Sequence, residues 1–223
     1  MTMAKAGFRE RAVGDIAAQV AGATAVFRKH KIDFCCGGDV SLVEAAARRG
    51  ANIAELEDAL AALGTAQPQA PQETAALVDH ILARYHETHR RELPELVKLA
   101  RRVEAVHRDH PDVPRGLADC LARAQAELED HMAKEEQVLC PAMQADYQGS
   151  LDMPIFVMRR EHDDHAQTIR AFEVLTREFT LPDGACRSWQ ALYTGVEKLV
   201  CDLVEHIHLE NNVLFPRFER RRS

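Results

Sequence analysis

Residues 131–141 read HMAKEEQVLCP, and residues 206–216 read HIHLENNVLFP. Both stretches follow the pattern His-x3-Glu-x2-Val-Leu-x-Pro, at a constant offset of 75 residues. A second repeat precedes them, because His86-Glu-Thr-His89 returns as His162-Asp-Asp-His165, offset by 76 residues. The last two-thirds of the chain therefore resembles two copies of one unit, each a helix with single histidines followed by a helix with His-x3-Glu. A duplicated set of imidazoles and carboxylates indicates a pair of metal ions.

Size and composition favour an all-helical protein. The 223 residues suffice for one good core and a small additional domain. Aromatic residues make up only 5% of the chain, and no stretch alternates with a period of two, as a half-buried strand would. No apolar run approaches the ~18 residues of a membrane span, and residues 1–11 lack the apolar segment of a secretory signal. We therefore expect a cytoplasmic protein that does not enter a membrane.

The net charge and the cysteine pattern limit the possible partners and the cellular compartment. A net charge of −7 disfavours nucleic acid as a partner, because a nucleic-acid interface needs a basic face. The six cysteines show neither zinc spacing nor an extracellular disulfide pattern. Most should be free, buried thiols in a reducing compartment.

Residues 1–64 are predicted to form a small domain of three helices. The first covers residues 15–30 and runs into the segment DFCCGG at residues 33–38. The second begins with the capping box at residues 41–44 and ends at Gly50, and the third covers residues 52–64. Residues 65–72 contain two prolines and little that is apolar, which predicts a linker.

Residues 73–223 are predicted to form an up-down-up-down four-helix bundle. The first helix begins near Glu73 and is kinked, not ended, at Pro94. The second runs from Pro114 to about Pro141, and the remaining two cover residues 155–179 and 186–215. Short connections between long helices make neighbouring helices antiparallel.

Apolar stripes at helical spacing place the repeated histidines and glutamates in the core of this bundle. On the second helix the stripe continues from Leu128 through His131 and Glu135 to Val138. Counting from the turns at ~1.5 Å per residue puts the polar groups of all four helices at one level. Such groups are costly to bury without partners, and no buried Lys or Arg is expected there. A pair of cations removes that cost, with six candidate ligands: His86, His131, Glu135, His162, His206 and Glu210.

Imidazole and carboxylate without thiolate disfavour Cu(I) and iron–sulfur clusters, and six ligands are too many for one structural zinc. A di-iron centre, or less readily a di-manganese centre, fits better. His89 and His165 lie on the same stripes and could be ligands or hydrogen-bond donors to ligands. Glu127 and Asp202, each four residues before a ligand histidine, could hold an imidazole or relay protons. The alternative for these two acids is a solvated helix face.

The segment DFCCGG, followed by this bundle, resembles the di-iron iron–sulfur cluster repair proteins of the RIC or ScdA type. Tyr85-His86, Glu161-His162-Asp163 and the segment LENNVLFP at residues 209–216 stand where that family has its signatures. The resemblance covers nearly the whole chain. It implies two iron ions with an oxo or hydroxo bridge, bound by the four histidines and bridged by both glutamates. It also implies bacterial cytoplasm, induction by nitrosative or oxidative stress, and a homodimer.

The adjacent pair Cys35 and Cys36 would be strained as a mutual disulfide. We interpret it as a redox or iron-handling thiol pair that serves the metal site or a client; the alternative is a helix end with buried cysteines. The resulting hypothesis is a protein that restores damaged iron–sulfur clusters in client proteins by supplying iron or handling nitric oxide. The alternatives are an oxygen- or nitric-oxide-binding or sensing protein, and a nitric oxide or peroxide reductase.

Overall fold

A computed structural model describes residues 7–63, 70–145 and 149–219. Throughout these ranges the regular elements are helical, apart from one isolated β-bridge between Ala12 and Ser41, which confirms the predicted all-α class. Inter-residue contacts divide the chain into two units. One comprises residues up to Leu77 together with those from Glu205 onward, and the other comprises Val78–Val204.

None of the helices in the described ranges combines the length and the apolar character that crossing a membrane requires.

Within the described residues 7–63 the chain forms four helices, so the prediction of three is wrong. The predicted helix over residues 15–30 is two helices, α1 (Val13–Gln19) and α2 (Ala23–Lys29). The chain turns between them at Gly22, whose φ of 87° is readily adopted only by glycine. The capping signals for the next two helices are correct, because the side chains of Ser41 and Asn52 accept hydrogen bonds from backbone amides. These helices are α3 (Leu42–Arg49) and α4 (Ile53–Ala62).

The unit that contains α1 to α4 has its own apolar core. Helix α2 contacts α4, α3 contacts α4, and the segment Leu209–Leu214 contacts α1. The rings of Phe27 and Phe34 lie 5.6 Å apart between their centroids. The largest buried side chains on these helices and their connections are Ile16, Phe27, Phe34, Leu42, Leu56 and Leu60. Gly64 and residues 65–69 of the predicted linker lie outside the described residues.

The second unit is built on long helices that share one core. The helices from residue 74 onward are α5 (Thr74–Ile81), α6 (Glu87–Val106), α7 (Leu117–Lys134), α8 (Cys140–Gln144), α9 (Asp152–Leu175) and α10 (Arg187–His208). Pro94 lies inside α6 and does not end it. Apolar side chains of α6, α7, α9 and α10, among them Leu93, Leu121, Phe172 and Leu192, form a continuous cluster.

Polar contacts show that neighbouring helices of this unit are antiparallel. Between α6 and α7, Glu104 accepts a hydrogen bond from the amide of Ala118, while Arg90 pairs with Glu129. Lys198 of α10 pairs with Glu92 of α6. One turn further along α10, Asp202 pairs with Arg84, which precedes α6. The unit is therefore held by an apolar interior and by a belt of ion pairs along its helix edges.

Several predicted helix boundaries differ from the observed ones. The third long helix, predicted over residues 155–179, is α9 over Asp152–Leu175. Helix α7 begins after Gly116, which has a φ of 88°, and not at Pro114. Pro141 does not end the second long helix, because it lies in the first turn of α8. The turn predicted to begin at Gln148 starts outside the described residues.

Three π-helical turns interrupt the α-helical geometry: Leu82–His86, Glu135–Leu139 and Leu209–Leu214. Each inserts a residue into the helical register and changes which side chain faces inward. Val138, predicted to be in the core stripe, is consequently 60% exposed, whereas Leu139 is buried. Turns of this kind are rare and occur frequently at functional sites.

Gly22→Ala should lower the free energy of unfolding by about 1–2 kcal/mol, because an L-residue at this positive φ is strained. The added Cβ would also lie 3.2 Å from Leu63 Cδ2. Urea denaturation of the purified chain measures the change. Gly7→Ala is the matched control, since a Cβ there meets nothing within 4 Å, and it should leave stability unchanged.

Candidate metal centre

Four of the six predicted ligands lie in the unit Val78–Val204, and all four are buried. The side chains of His86, His131, Glu135 and His162 are at most 1% exposed. His86 Nε2 lies 3.4 Å from Glu135 Oε2, and His131 Nε2 lies 3.5 Å from Glu135 Oε1. His162 Nε2 lies 3.2 Å from His131 Nε2. The Nε2 atoms of these imidazoles therefore converge on one carboxylate and on each other.

The remaining two predicted ligands, His206 and Glu210, are also buried. His206 Nε2 lies 3.0 Å from Glu210 Oε1, as expected for residues one turn apart on a helix.

The six side chains offer two sets of four ligand atoms. In each set the atoms lie within 4.8 Å of one another, which is close enough for one metal ion. One set comprises His86, Glu135, His206 and Glu210, and the other comprises His131, Glu135, His162 and Glu210. Both carboxylates belong to both sets. The structure therefore contains buried His and Glu groups that can hold metal.

The chemistry of these donors fits a transition metal of intermediate hardness. Neutral imidazole nitrogen suits iron, zinc, copper and nickel, and carboxylate oxygen suits harder cations. Neither set includes a thiolate or a cationic side chain. Two imidazoles and two carboxylates in each set, with the carboxylates in common, match the mixed nitrogen and oxygen coordination of carboxylate-bridged metal pairs in helical bundles.

Two glutamates that the sequence analysis did not single out orient the ligand imidazoles. Glu136 Oε1 lies 2.9 Å from His86 Nδ1, and Glu161 Oε2 lies 2.8 Å from His131 Nδ1. A carboxylate at Nδ1 fixes the tautomer, so that Nε2 presents its lone pair to a metal. Each glutamate directly neighbours a predicted ligand in sequence, and that adjacency was the available signal.

Basic residues hold these two glutamates in turn. Arg90 Nη1 lies 2.6 Å from Glu136 Oε1, and Lys134 Nζ lies 2.6 Å from Glu161 Oε1. Burial opposes ionisation of Glu136, but hydrogen bonds from Arg90 and His86 outweigh it and lower its pKa. Hydrogen bonds to Asp130 and Glu161 raise the pKa of Lys134. The imidazoles are thus connected to charged groups at the edge of the bundle.

The two acids predicted to hold imidazoles have other surroundings. Glu127 is exposed and lines a cavity of about 510 Å³ between α7 and α9; the carboxylate bound to His131 is that of Glu161. Asp202 is buried, and its oxygens accept hydrogen bonds from Arg84 at 2.7 Å and Lys198 at 2.8 Å. Burial alone would raise the pKa of Asp202, but these two partners lower it.

His89 and His165 are buried but belong to neither ligand set. The ring of His165 stands edge-on to the ring of His131, with centroids 4.9 Å apart, and it lines the cavity between α7 and α9. The ring of His89 lies 6.4 Å from that of Tyr85. His165 therefore lies beside the predicted ligand His131.

Cys35 and Cys36 are not joined by a disulfide bond, and their sulfur atoms lie 3.8 Å apart. Asp33 Oδ1 accepts hydrogen bonds from the amides of Cys36 and Gly37, which closes the turn that carries the pair. Cys35 is buried, while Cys36 is partly exposed. The hydrogen bond with Cys36, burial and the neighbouring Asp33 together raise the pKa of Cys35, so Cys35 is held as a protonated thiol.

Buried imidazoles and carboxylates on an all-helical scaffold define a cation-binding protein of the hemerythrin type. Residues 77–218 match the family described as the hemerythrin HHE cation binding domain, and residues 9–64 match ScdA_N, a domain of unknown function. The chain belongs to the hemerythrin HHE family.

Two curated relatives share almost the full length of the chain. Both carry the name iron-sulfur cluster repair protein YtfE. The protein from Yersinia pseudotuberculosis serotype O:1b (strain IP 31758) is 45% identical over 214 residues, which cover 94% of this chain and 97% of that protein. The protein from Dickeya chrysanthemi (strain Ech1591) is 44% identical over 215 residues, with the same coverage. The resemblance to this class of proteins is thereby confirmed.

Glu136→Gln and Glu161→Gln should each weaken transition-metal binding by roughly 10–100-fold, because an amide holds the imidazole less well than a carboxylate does. Competition with a chromophoric chelator measures the affinity. Glu127→Gln is the control, since Glu127 is exposed on the same helix as His131, and its affinity should equal that of the wild type. Equal affinities in all three variants would contradict the assigned roles.

Asp202→Asn should lower the free energy of unfolding by about 1–3 kcal/mol at neutral pH, because it removes the charge of a buried carboxylate that accepts from Arg84 and Lys198. The lowered pKa of Asp202 means that the carboxylate stabilises the fold above its unfolded pKa of about 3.9. That contribution is lost as the pH falls below this value, so the variant should lose stability less steeply in acid. Glu92→Gln, which removes a more exposed partner of Lys198, should have a much smaller effect.

Proposed function

We propose that this chain is a di-iron protein that repairs iron–sulfur clusters damaged by nitrosative or oxidative stress. The observation that carries the proposal is the sharing of Glu135 and Glu210 by both ligand sets. Shared carboxylates favour two ions side by side over two independent sites. The names of the relatives, which describe iron-sulfur cluster repair, support the same role for this chain.

The proposed ligands are the four histidines at 86, 131, 162 and 206, with Glu135 and Glu210 bridging. Glu136 and Glu161 hold two of the rings with Nε2 facing the metal, and the apolar interior excludes water. Bound iron would supply ions for rebuilding a cluster and would offer a coordination position to a small ligand such as nitric oxide or oxygen. Iron that is transferred to a client protein is a substrate of the repair reaction and not a permanent cofactor of this chain.

The proposal also assigns a role to each of the two domains of the chain. Residues 73–223 are proposed to be the iron-binding domain, and residues 1–64 an ScdA-type domain that presents Cys35 and Cys36. Of these two thiols, Cys36 is the one partly exposed to solvent and is the better placed to meet a client. We further propose that the protein acts in the cytoplasm as a homodimer, with iron–sulfur proteins as clients.

His131→Ala and His206→Ala should each reduce the iron content, from about two ions per chain to about one or fewer, because each removes a ligand from one set. Iron is measured by mass spectrometry of the metal after anaerobic loading and desalting. His89→Gln is the matched control: it alters a buried imidazole outside both sets and should retain the wild-type content. Full iron in both alanine variants would refute the ligand assignment.

The repair function is tested by mixing the ferrous protein anaerobically with a hydro-lyase whose four-iron cluster has lost iron. Recovery of hydro-lyase activity, and its loss with the His131→Ala variant, is the expected result. A parallel sample receives nitric oxide and is assayed for nitrous oxide. Gas turnover without recovery would favour a nitric oxide reductase, and reversible gas binding without either would favour a carrier or sensor.

A further inference from the structure

The side-chain amides of Asn211 and Asn212 bind the backbone of the Cys35-Cys36 loop. Asn211 Nδ2 donates to the carbonyl oxygen of Cys35 at 3.0 Å. Asn212 Nδ2 donates to the carbonyl oxygen of Phe34 at 2.9 Å and to that of Cys35 at 3.3 Å. Adjacent side chains on a regular helix do not face each other, yet these two reach the same carbonyl from the π-helical turn Leu209–Leu214.

Two glycines make room for one of these amides. A Cβ added to Gly14 would lie 2.5 Å from Asn212 Oδ1, and one added to Gly38 would lie 2.3 Å from it. The two glycines are themselves joined, since the amide of Gly14 donates to the carbonyl oxygen of Gly38 at 2.8 Å. The side chain of Asn212 therefore occupies a space that exists only because residues 14 and 38 are glycines.

Aromatic contacts reinforce the same attachment. The rings of Phe34 and His208 stand edge to face, with centroids 5.4 Å apart, and His208 Nδ1 lies 3.0 Å from Asn212 Nδ2. Phe34 is buried and directly precedes Cys35. The loop is thus fixed at the residue before the thiol pair as well as at the carbonyl of its first cysteine.

The asparagines directly follow Glu210, a proposed ligand, on the same turn. We infer that Asn211 and Asn212 are positioning residues that couple metal binding at His206 and Glu210 to the exposure of the Cys36 thiol. This inference rests on the proposed function. A bound ion fixes the turn that carries Glu210, and the two amides transmit that order to the loop. Without metal the turn loosens, and Cys36 becomes more accessible.

The test follows alkylation of Cys36 by iodoacetamide in the full chain, with and without iron(II), under anaerobic conditions. Mass spectrometry of the peptide that contains Cys36 separates its rate from those of the other cysteines. In the wild type, iron should slow the reaction by about tenfold, the usual size of coupling between two sites. Asn212→Asp keeps the shape of the side chain but removes the donor, and it should reduce the difference to less than about twofold.

Two further variants make the result decisive. Gly38→Ala, far in sequence from any ligand, displaces Asn212 and also pushes on the carbonyl oxygen of Phe34, which would lie 2.9 Å from the added Cβ. It should therefore abolish the iron effect while iron content stays at the wild-type level. Asn52→Ala is the matched control, because Asn52 also bonds a backbone group of the same unit, the amide of Ala54, and it should keep the tenfold effect.

Iron content, measured in every sample, separates the two hypotheses. If the wild type binds iron but its Cys36 rate is unchanged, the coupling is refuted and the proposed function stands. If the wild type binds no iron, the proposed function itself fails. If the Asn212→Asp variant loses iron, the Gly38→Ala variant tests the coupling instead. A wild-type effect of iron on the Cys36 alkylation rate in Gly38→Ala overturns the inference, and the absence of that effect supports it.

Discussion

The structure depends on the burial of four imidazoles and two carboxylates among apolar side chains. Each of these groups would be costly in a dry interior unless its hydrogen-bonding or coordinating atoms were satisfied. Glu135 and Glu210 are the most demanding members, because the burial of a charged carboxylate costs more than that of a neutral imidazole. Metal ions bound there would satisfy the oxygen and nitrogen lone pairs together and would thereby also stabilise this arrangement of helices.

Contacts between charged groups of alternating sign connect the buried imidazoles to the protein surface. His86 is held by Glu136, and Glu136 by Arg90, which pairs outward again with Glu129. On the other side, Glu161 lies between His131 and Lys134 in the same way. Both glutamates are only partly buried, although each touches a buried ring. The imidazoles are therefore oriented by carboxylates that are partly exposed to solvent.

Much of the fold was predictable because helical spacing is a strong signal over long segments. The stripes correctly predicted that the six candidate ligands are buried, and the capping residues Ser41 and Asn52 correctly marked helix starts. The π-helical turns were not predictable, since no residue pattern distinguishes them from α-helix, and they displaced Val138 from the core. The break at Gly22 was missed because alanine-rich sequence on both sides supports a continuous helix. The carboxylate that orients the imidazole of His131 was predicted one turn before it, at Glu127. Instead, packing brings the orienting carboxylates of His86 and His131 from the neighbouring helix.

The two copies of the His-x3-Glu repeat have acquired different partners at one equivalent position. In the first copy the residue after the glutamate is Glu136, whose carboxylate holds the imidazole of His86. In the second copy that residue is Asn211, whose amide holds the carbonyl group of Cys35. A carboxylate could not take the second role, because it has no hydrogen to donate to a carbonyl. An amide would perform the first role less well, because it lacks the charge that strengthens a bond to imidazole. The duplication thus provides a symmetric set of predicted ligands, and the residue that follows each glutamate contacts a predicted ligand imidazole in one copy and the Cys35-Cys36 loop in the other.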